Sequence, residues 1–525
     1  MPKVLIADDL SPRAADIFRA RGIEVDVKIG LDRDALAAII GDYDGLAVRS
    51  ATKVTKPVIE AAANLKVVGR AGIGVDNIDV PAATARGIVV MNTPFGNSIT
   101  TAEHAIAMIM ALARQLPAAD RSTQAGKWEK SRFMGTEITG KVLGVVGCGN
   151  IGSIVANRAL GLKMKVAAFD PFLSEDRAVE LGVDKVELDE LFARADFITL
   201  HTPLTDATRN IIDAAAIAKM KPGVRIVNCA RGGLIVEADL IAALDAGKVT
   251  AAAIDVFPTE PARESPFFGR DNVLCTPHLG AATVEAQENV ALQVAEQMAD
   301  FLLTGAVVNA LNMPSLSAEE AVRLRPYMKL AEQLGSFAGQ MVEQGLSAIS
   351  VDYEGHAADL NVRPLTAIVL TGVLRPMTET VNMVNAPVLC RERDIRVTET
   401  KLAGESDYQT LIRVRVEGAG RTTTIAGTLF GGDKPRIVEV EGISMEAELG
   451  QNVLFVRNQD KPGFIGNLGR TLGDAGVNIA TFHLGRLGAE KDAIAMIQVD
   501  QPLTDTLLDQ VRKIPHVVQV RGLHF

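Results

Sequence analysis

Residues 141–152 read Lys-Val-Leu-Gly-Val-Val-Gly-Cys-Gly-Asn-Ile-Gly. The apolar run 142–146 predicts a strand, Gly147, Gly149 and Gly152 a tight loop, and the stretch 153–160 a helix leading out. In that setting the first glycine permits the turn and the second lets backbone approach a pyrophosphate. The third lets the helix pack closely on the strand. The helix start at Asn150 and Ile151 adds partial positive charge for the phosphates. Asp170 ends the next predicted strand, 166–169, where its carboxylate can accept from ribose hydroxyls and repel a 2′-phosphate. Pro171 and Phe172 supply no compensating cation, so the expected dinucleotide is NAD rather than NADP.

Outward from this loop the same alternation continues. Strands are expected at 142–146, 166–169, 197–200, 225–228 and 252–256, with helices between them. Upstream, 4–7, 25–27, 46–48, 67–68 and 88–90 read as short buried strands, with a helix at 12–20. An apolar helix at 100–114 links the two units. The stretch 283–303, free of Gly and Pro, predicts one long helix that returns to the first unit. The expected class is α/β with two doubly wound parallel-sheet domains. One covers 1–99, is completed by 284–312 and is the substrate-binding domain; the Rossmann NAD-binding domain covers 100–283. A turn-rich linker at 309–317 leads to an α+β domain at 318–450, with strands at 411–417, 422–429 and 436–441. Residues 452–525 read strand, helix, strand, strand, helix, strand, the ferredoxin-like order.

Composition excludes several classes. The formal charge is −10, with 64 acidic against 54 basic residues and no basic block, which argues against nucleic acid. Such a protein binds an anion only through a local arginine cluster. Cys148, Cys229, Cys275 and Cys390 have no paired spacing, so neither a disulfide framework nor a metal site is expected. No run of 18 apolar residues occurs and the N-terminus reads as a strand, which points to a cytoplasmic protein away from membranes.

Three residues downstream of the loop carry chemistry. Arg231 follows a strand end, and its planar fork can hold a carboxylate through two bonds. His278, in a Pro-preceded loop, is the natural proton carrier near neutrality. Glu260 can hydrogen-bond the second imidazole nitrogen. A clamp, an acid/base and its partner are what oxidation of a 2-hydroxy acid requires. Among the other histidines, His104 reads as a core residue of an apolar helix, and His201 borders the cofactor edge. His356, His483, His516 and His524 read as structural or solvated.

The segments 226–233 (IVNCARGG), 253–261 (AIDVFPTEP), 276–281 (TPHLGA) and 201–205 (HTPLT), with the glycine loop, resemble the D-isomer-specific 2-hydroxyacid dehydrogenases. The blocks 48–55 (VRSATKVT), 67–79 (VVGRAGIGVDNID) and 92–98 (NTPFGNS) narrow the resemblance to the branch that oxidises 3-phosphoglycerate at the entry to serine biosynthesis. That resemblance implies that Arg231 binds substrate carboxylate and carbonyl, with His278 the acid/base and Glu260 its partner. It implies NAD contacts at Asn150, Ile151, Asp170, Thr202, Cys229, Ala230, Asp255 and Gly280. Phosphate-side contacts fall on Arg49, Ser50 and Asn97, joined by Arg70, and Lys130 or Arg132 would reach a neighbouring subunit's phosphate. Ile73 departs from members that have a threonine there, which removes one hydroxyl contact to the cofactor. Residues 453–525 resemble an ACT module, implying that L-serine binds Asn458, Asp460 and Asn478 between two such modules of a homotetramer. Residues 318–450 resemble the intervening domain of the long form, where Arg413, Arg415 and Arg421 read as a solvated strand face.

Two other readings share these residues. One is a hydroxypyruvate or glyoxylate reductase with the same trio, indifferent to phosphate. The other is a non-catalytic NAD-sensing scaffold, which would not need His278.

Overall fold

The computed structural model describes residues 1–316, 318–342, 345–378, 380–402, 408–488 and 491–525. Residue 317 of the expected linker and residues 489–490 of the expected hairpin lie outside the described residues.

Two parallel sheets are built from strands between residues 3 and 275. The first runs Glu24–Val27, Lys3–Ile6, Gly45–Val48, Val67–Arg70, Val89–Met91. The second runs Val273–Cys275, Val249–Ile254, Val224–Asn228, Phe197–Leu200, Val142–Val146, Lys165–Phe169, Asp184–Lys185. In both, strand order reverses beside the first strand, and doubly wound sheets bind ligands outside the carboxyl ends there. Gly147, Arg231, Asp255 and His278 each follow the carboxyl end of a strand of the second sheet. Arg49 follows, and Arg70 ends, a strand of the first. Both sheets therefore aim their ligand-facing loops at one cleft.

Helix Val284–Thr304 carries the chain back, packing on helix Pro12–Ala20 and on strands Gly45–Val48 and Val67–Arg70. Its Val290, Ala291, Val294, Ala295 and Met298 are fully buried in the first sheet's core. Each buried valine or methionine contributes ~1.5–3 kcal/mol of transfer free energy, so this return is a structural part of the first unit. Thr283 caps the helix by accepting from the Ala286 amide at 3.2 Å. Helix Ser98–Arg114 packs on helix Asn150–Gly161 and on two strands of the second sheet.

The third sheet runs Arg396–Leu402, Leu346–Gly355, Thr410–Gly418, Arg421–Phe430, Lys434–Val440, Ile443–Ala447, with only its first pair parallel. Helices Ala318–Met341 and Arg363–Leu374 pack together, the former against the sheet. The fourth sheet is antiparallel in the order Ile479–Arg486, Asp492–Val499, Asn452–Gln459, Val517–His524, the ferredoxin-like arrangement. Helices Phe464–Asp474 and Asp505–Arg512 cover one face of it, over Leu454, Val456, Ala495 and Ile497. Its other face, with Val453, Phe455, Ile494 and Met496, shares a core with the intervening domain.

Several strands escape the sequence reading. Val273–Cys275 and Asp184–Lys185 are too short to show a period. Leu346–Gly355 alternates well enough but follows directly on a long helix, and Arg396–Leu402 is mostly exposed and charged.

Candidate active site

Loops at the carboxyl ends of both sheets build the site. In the first of these loops, Gly147 adopts φ +91°. A side chain on Gly152 would put its Cβ 1.9 Å from the Gly147 carbonyl oxygen, so only glycine allows helix Asn150–Gly161 to start there. A Cβ on Gly149 would meet nothing within 4 Å, leaving open space above the helix N-terminus. Asp170 braces the loop: its carboxylate accepts from the Cys148 amide and from the Phe172 amide, both at 2.8 Å. Each oxygen keeps a lone pair for a ribose hydroxyl. The residues present therefore fit NAD: an open cradle of amides, a helix N-terminus and a ribose-side carboxylate, with Phe172 exposed beside them. Behind the loop, Thr202 follows His201, whose Nε2 bonds Thr199 Oγ1 at 2.8 Å. Burial lowers the His201 imidazole from 6.5 to about 4, so it stays neutral.

The second turn carries Arg231. Buried Asn228 brackets it, accepting from the Ala230 amide at 3.1 Å and donating to the Arg231 carbonyl at 2.9 Å. Cys229 is buried in the same turn, and burial followed by the nearby Asp255 pushes its thiol well above the ordinary range. Arg231 Nη1 donates to the Ala230 carbonyl at 2.7 Å. Its Nε donates to Asp76 Oδ2 at 3.0 Å, across to the loop after strand Val67–Arg70. Arg231 thus reaches from the second domain to the first.

On that first-domain side, buried Asp8 holds the loop after strand Gly45–Val48 by accepting from the Arg49 amide at 2.5 Å and from Thr52 Oγ1 at 2.7 Å. Arg49 Nη1 donates to the Asp9 carbonyl at 3.1 Å, and Ser50 is exposed beside it. Burial, then the neighbouring Arg231 cation, push the Arg70 guanidinium down to about 10; Asp76 opposes and Arg49 adds to the repulsion. Arg70 remains charged at neutrality. Its Nε is buried with no hydrogen-bond partner, as is Oδ1 of Asn97 at the start of helix Ser98–Arg114. The three guanidinium groups form the local cationic cluster that the acidic composition demanded.

The remaining turns hold the imidazole. His278 Nδ1 bonds Glu260 Oε2 at 2.7 Å, and Glu260 Oε1 accepts from the Phe257 amide at 3.0 Å. Burial works against ionisation of Glu260, but the His278 and Phe257 hydrogen bonds win and hold its carboxyl below the usual range. The His278 amide donates to the Asp255 carbonyl at 2.9 Å. Asp255 is fully buried and accepts from Thr276 Oγ1, the Leu279 amide and the Gly280 amide at 2.6, 2.7 and 2.9 Å. Two residues here were missed by sequence reasoning. Asp76 meets Arg231 across 155 residues of chain. His104, taken as core, places Nε2 3.3 Å from Asp255 Oδ1. The available signal was a histidine on the same helix face as Thr101 and Met108.

Not every expected residue joins this cluster. Arg132 pairs with Glu129 at 3.0 Å and Asp271 at 2.9 Å, and Lys130 is exposed. Ile73 contributes its carbonyl, which accepts from Asn92 Nδ2 at 2.6 Å. Arg413 pairs with Glu439 at 3.5 Å, and Arg421 donates to Gln519 at 3.3 Å. In the fourth sheet Asn458 is buried, with Oδ1 unpartnered and Nδ2 on the Gln459 carbonyl at 2.8 Å. Asp460 pairs with Arg486 at 3.1 Å. Asn478 Nδ2 donates to Asp500 at 2.7 Å, at the other end of the sheet. Asn458 pairs with Ala493, whereas Ile479 beside Asn478 pairs with Val499. At ~3.3 Å per residue the two asparagines are on the order of 20 Å apart within one module.

Comparisons with known proteins identify the family. Residues 106–280 match the D-isomer specific 2-hydroxyacid dehydrogenase NAD binding domain. Residues 323–441 match the D-3-phosphoglycerate dehydrogenase intervening domain, and 452–516 the ACT domain. A glyoxylate reductase from Paecilomyes thermophila superposes with a TM-score of 0.55 at 29% identity, covering 59% of this chain and 98% of that one. The apo D-lactate dehydrogenase from Escherichia coli gives 0.53 at 28% identity, covering 59% of this chain and all (100%) of its own. Similarity to D-3-phosphoglycerate dehydrogenase of Synechocystis sp. extends further, at 45% identity over 98% of this chain and 93% of that protein. The Archaeoglobus fulgidus enzyme of the same name is 41% identical over 98% of both. With three matched domains and relatives spanning nearly its whole length, the chain belongs to the D-3-phosphoglycerate dehydrogenase family.

Proposed function

We propose that the cleft between the two α/β domains oxidises C2 of 3-phosphoglycerate to 3-phosphohydroxypyruvate. Arg231 fixes the carboxylate through guanidinium nitrogens, exchanging its contact with Asp76 for the substrate. His278 Nε2 takes the C2 hydroxyl proton while Glu260, on Nδ1, keeps the ring in the tautomer that leaves Nε2 free to accept it. Bound NAD supplies the hydride acceptor. Gly147, Gly149, Asn150, Ile151 and Gly152 hold its pyrophosphate, Asp170 its ribose, and Thr202, Cys229, Ala230, Asp255 and Gly280 line the nicotinamide end. Arg49, Ser50, Arg70 and Asn97 receive the substrate phosphate, and closure of the cleft keeps water out.

One observation carries the reading. Arg49, Arg70 and Arg231 lie close enough to repel, and Arg70 keeps a buried, unpartnered Nε. A substrate that adds a phosphate to its carboxylate relieves that repulsion, and one with the carboxylate alone leaves Arg49 and Arg70 unmatched. Charge-assisted hydrogen bonds are worth ~1.5–3 kcal/mol each, so two arginines give at least about 100-fold preference for the phosphorylated acid. Steady-state rates with NAD on 3-phosphoglycerate, glycerate and lactate test this. Equal kcat/KM with and without phosphate would instead fit a general hydroxy-acid reductase.

L-serine is the proposed effector. Asn458 and Asp460 sit at the opposite end of the sheet from Asn478, so a site using all three needs two modules in opposite orientation. That makes the working enzyme a homo-oligomer, and likeness to the family favours a tetramer. Four free thiols suit the reducing cytoplasm, and among the described residues no helix is long and apolar enough to cross a membrane.

A further inference from the structure

Helix Ser98–Arg114 touches the loop that carries His278 at two points. Thr101 Oγ1 donates to the Gly280 carbonyl at 2.9 Å. One turn on, His104 Nε2 lies 3.3 Å from Asp255 Oδ1 and 3.5 Å from Thr276 Oγ1. Asp255 in turn accepts from Thr276, Leu279 and Gly280, so its two oxygens set the path of residues 276–280. Burial alone would favour the neutral acid. The hydrogen bonds, beginning with that from His104, keep the carboxyl below its usual range despite complete burial.

Ligand-type atoms of His104, Cys229 and Asp255 lie within 4.8 Å of one another, close enough to suggest a metal site. The hydrogen bonds argue otherwise. Asp255 Oδ1 already serves Thr276, Leu279 and His104, Oδ2 serves Gly280, and the Cys229 thiol strongly resists losing its proton. A cation there would have to dismantle the loop that orients His278. His104 is better explained as a donor that completes the buried carboxylate.

We infer that His104 is a positioning residue. By donating from Nε2 to Asp255, it fixes the carboxylate that faces the nicotinamide end of the cofactor site. This rests on the reading of Asp255 and Gly280 as lining that end. In this reading His104 acts through Asp255 and not on substrate or cofactor directly. Its helix begins at Asn97 on the phosphate side, so one rigid element supports both ends of the reacting pair. The consequence is selective: losing the donor frees Asp255 and loosens the nicotinamide half of the site, while the ribose and pyrophosphate contacts stay intact.

The test compares binding of NADH with binding of ADP-ribose, which lacks nicotinamide, to the full chain by calorimetry. His104→Leu is expected to raise the Kd for NADH by about tenfold, the scale of one hydrogen bond to a charged acceptor, and to leave ADP-ribose within about twofold. His104→Gln, which can place an amide N–H near Nε2, should restore most of the NADH affinity. Equal weakening of both ligands by His104→Leu means a merely structural role and overturns the proposal, as does no change in either. Asp255→Asn separates the two layers. If it weakens NADH selectively and His104→Leu does not, His104 is not the support. If Asp255→Asn shows no selectivity, the nicotinamide-facing reading fails and this inference fails with it.

Discussion

Replacing Glu260 by glutamine removes one charge from the site while leaving its volume almost unchanged. The carboxylate now accepts twice, from His278 Nδ1 at 2.7 Å and from the Phe257 amide at 3.0 Å. A glutamine has one acceptor oxygen and one donor group, so it satisfies only one of these. If the oxygen keeps Phe257, the amide NH₂ faces Nδ1 and forces the ring proton onto Nε2, the atom proposed to accept the substrate proton. If the oxygen keeps His278, two N–H groups confront each other at Phe257. Either way the developing imidazolium loses a charged partner. A hydrogen bond to a charged group is worth ~1.5–3 kcal/mol, which converts to a fall in kcat of roughly 10- to 150-fold. His278 and Glu260 side chains are 46% and 35% exposed in the open cleft, so the low end applies unless closure dries the site. Initial rates of 3-phosphoglycerate oxidation, with NADH binding as the control, measure it. The expected result is a lowered kcat with NADH affinity within about twofold, because Glu260 touches no cofactor atom in this account. A Glu260→Gln enzyme turning over at the parent rate would refute the pairing as a working part of the mechanism.

Three further outcomes follow from the same structure. The His201 imidazole stays neutral down to about 4, whereas in the unfolded chain it binds a proton near 6.5. Stability is therefore lost as pH falls through that window, by up to about 3 kcal/mol, and His201→Gln should flatten the difference in melting temperature between pH 6.5 and pH 4. Gly152→Ala forces a Cβ to within 1.9 Å of the Gly147 oxygen, and overpacking of this kind costs ~1–3 kcal/mol. NADH titration should show a larger loss for that variant than 3-phosphoglycerate binding does. Millimolar L-serine should inhibit turnover, and Asn478→Ala should shift the inhibition curve to higher serine without changing the uninhibited rate. An unaltered rate in serine would retire the regulatory role.

The sequence made much of this legible because the decisive signals are local. The run 142–152 contains its own strand, loop and helix start, and the ferredoxin-like order of the last module follows from strands and helices of ordinary length. Arg231, Glu260 and His278 could be singled out since each sits in a turn with few structural duties for such a side chain. What stayed hidden depends on distant pairing. Asp76 is an ordinary acid in a loop until Arg231 arrives from the other domain. His104 looks apolar by its neighbours, and only the folded sheet brings Asp255 opposite it. Strand Val273–Cys275 has three residues and no period, although the loop it launches carries His278, the proposed acid/base. Asn458 and Asn478 share a module but not an end of its sheet, which no reading of spacing reveals.

A crystal structure of the enzyme with NADH and 3-phosphoglycerate, a pair of already reduced partners that cannot react, tests the central claim most directly. The substrate carboxylate should rest on Arg231 and its C2 hydroxyl at about 3 Å from His278 Nε2, with the phosphate against Arg49 and Arg70. A hydroxyl turned away from His278, or a phosphate bound outside the arginine cluster, would contradict the account.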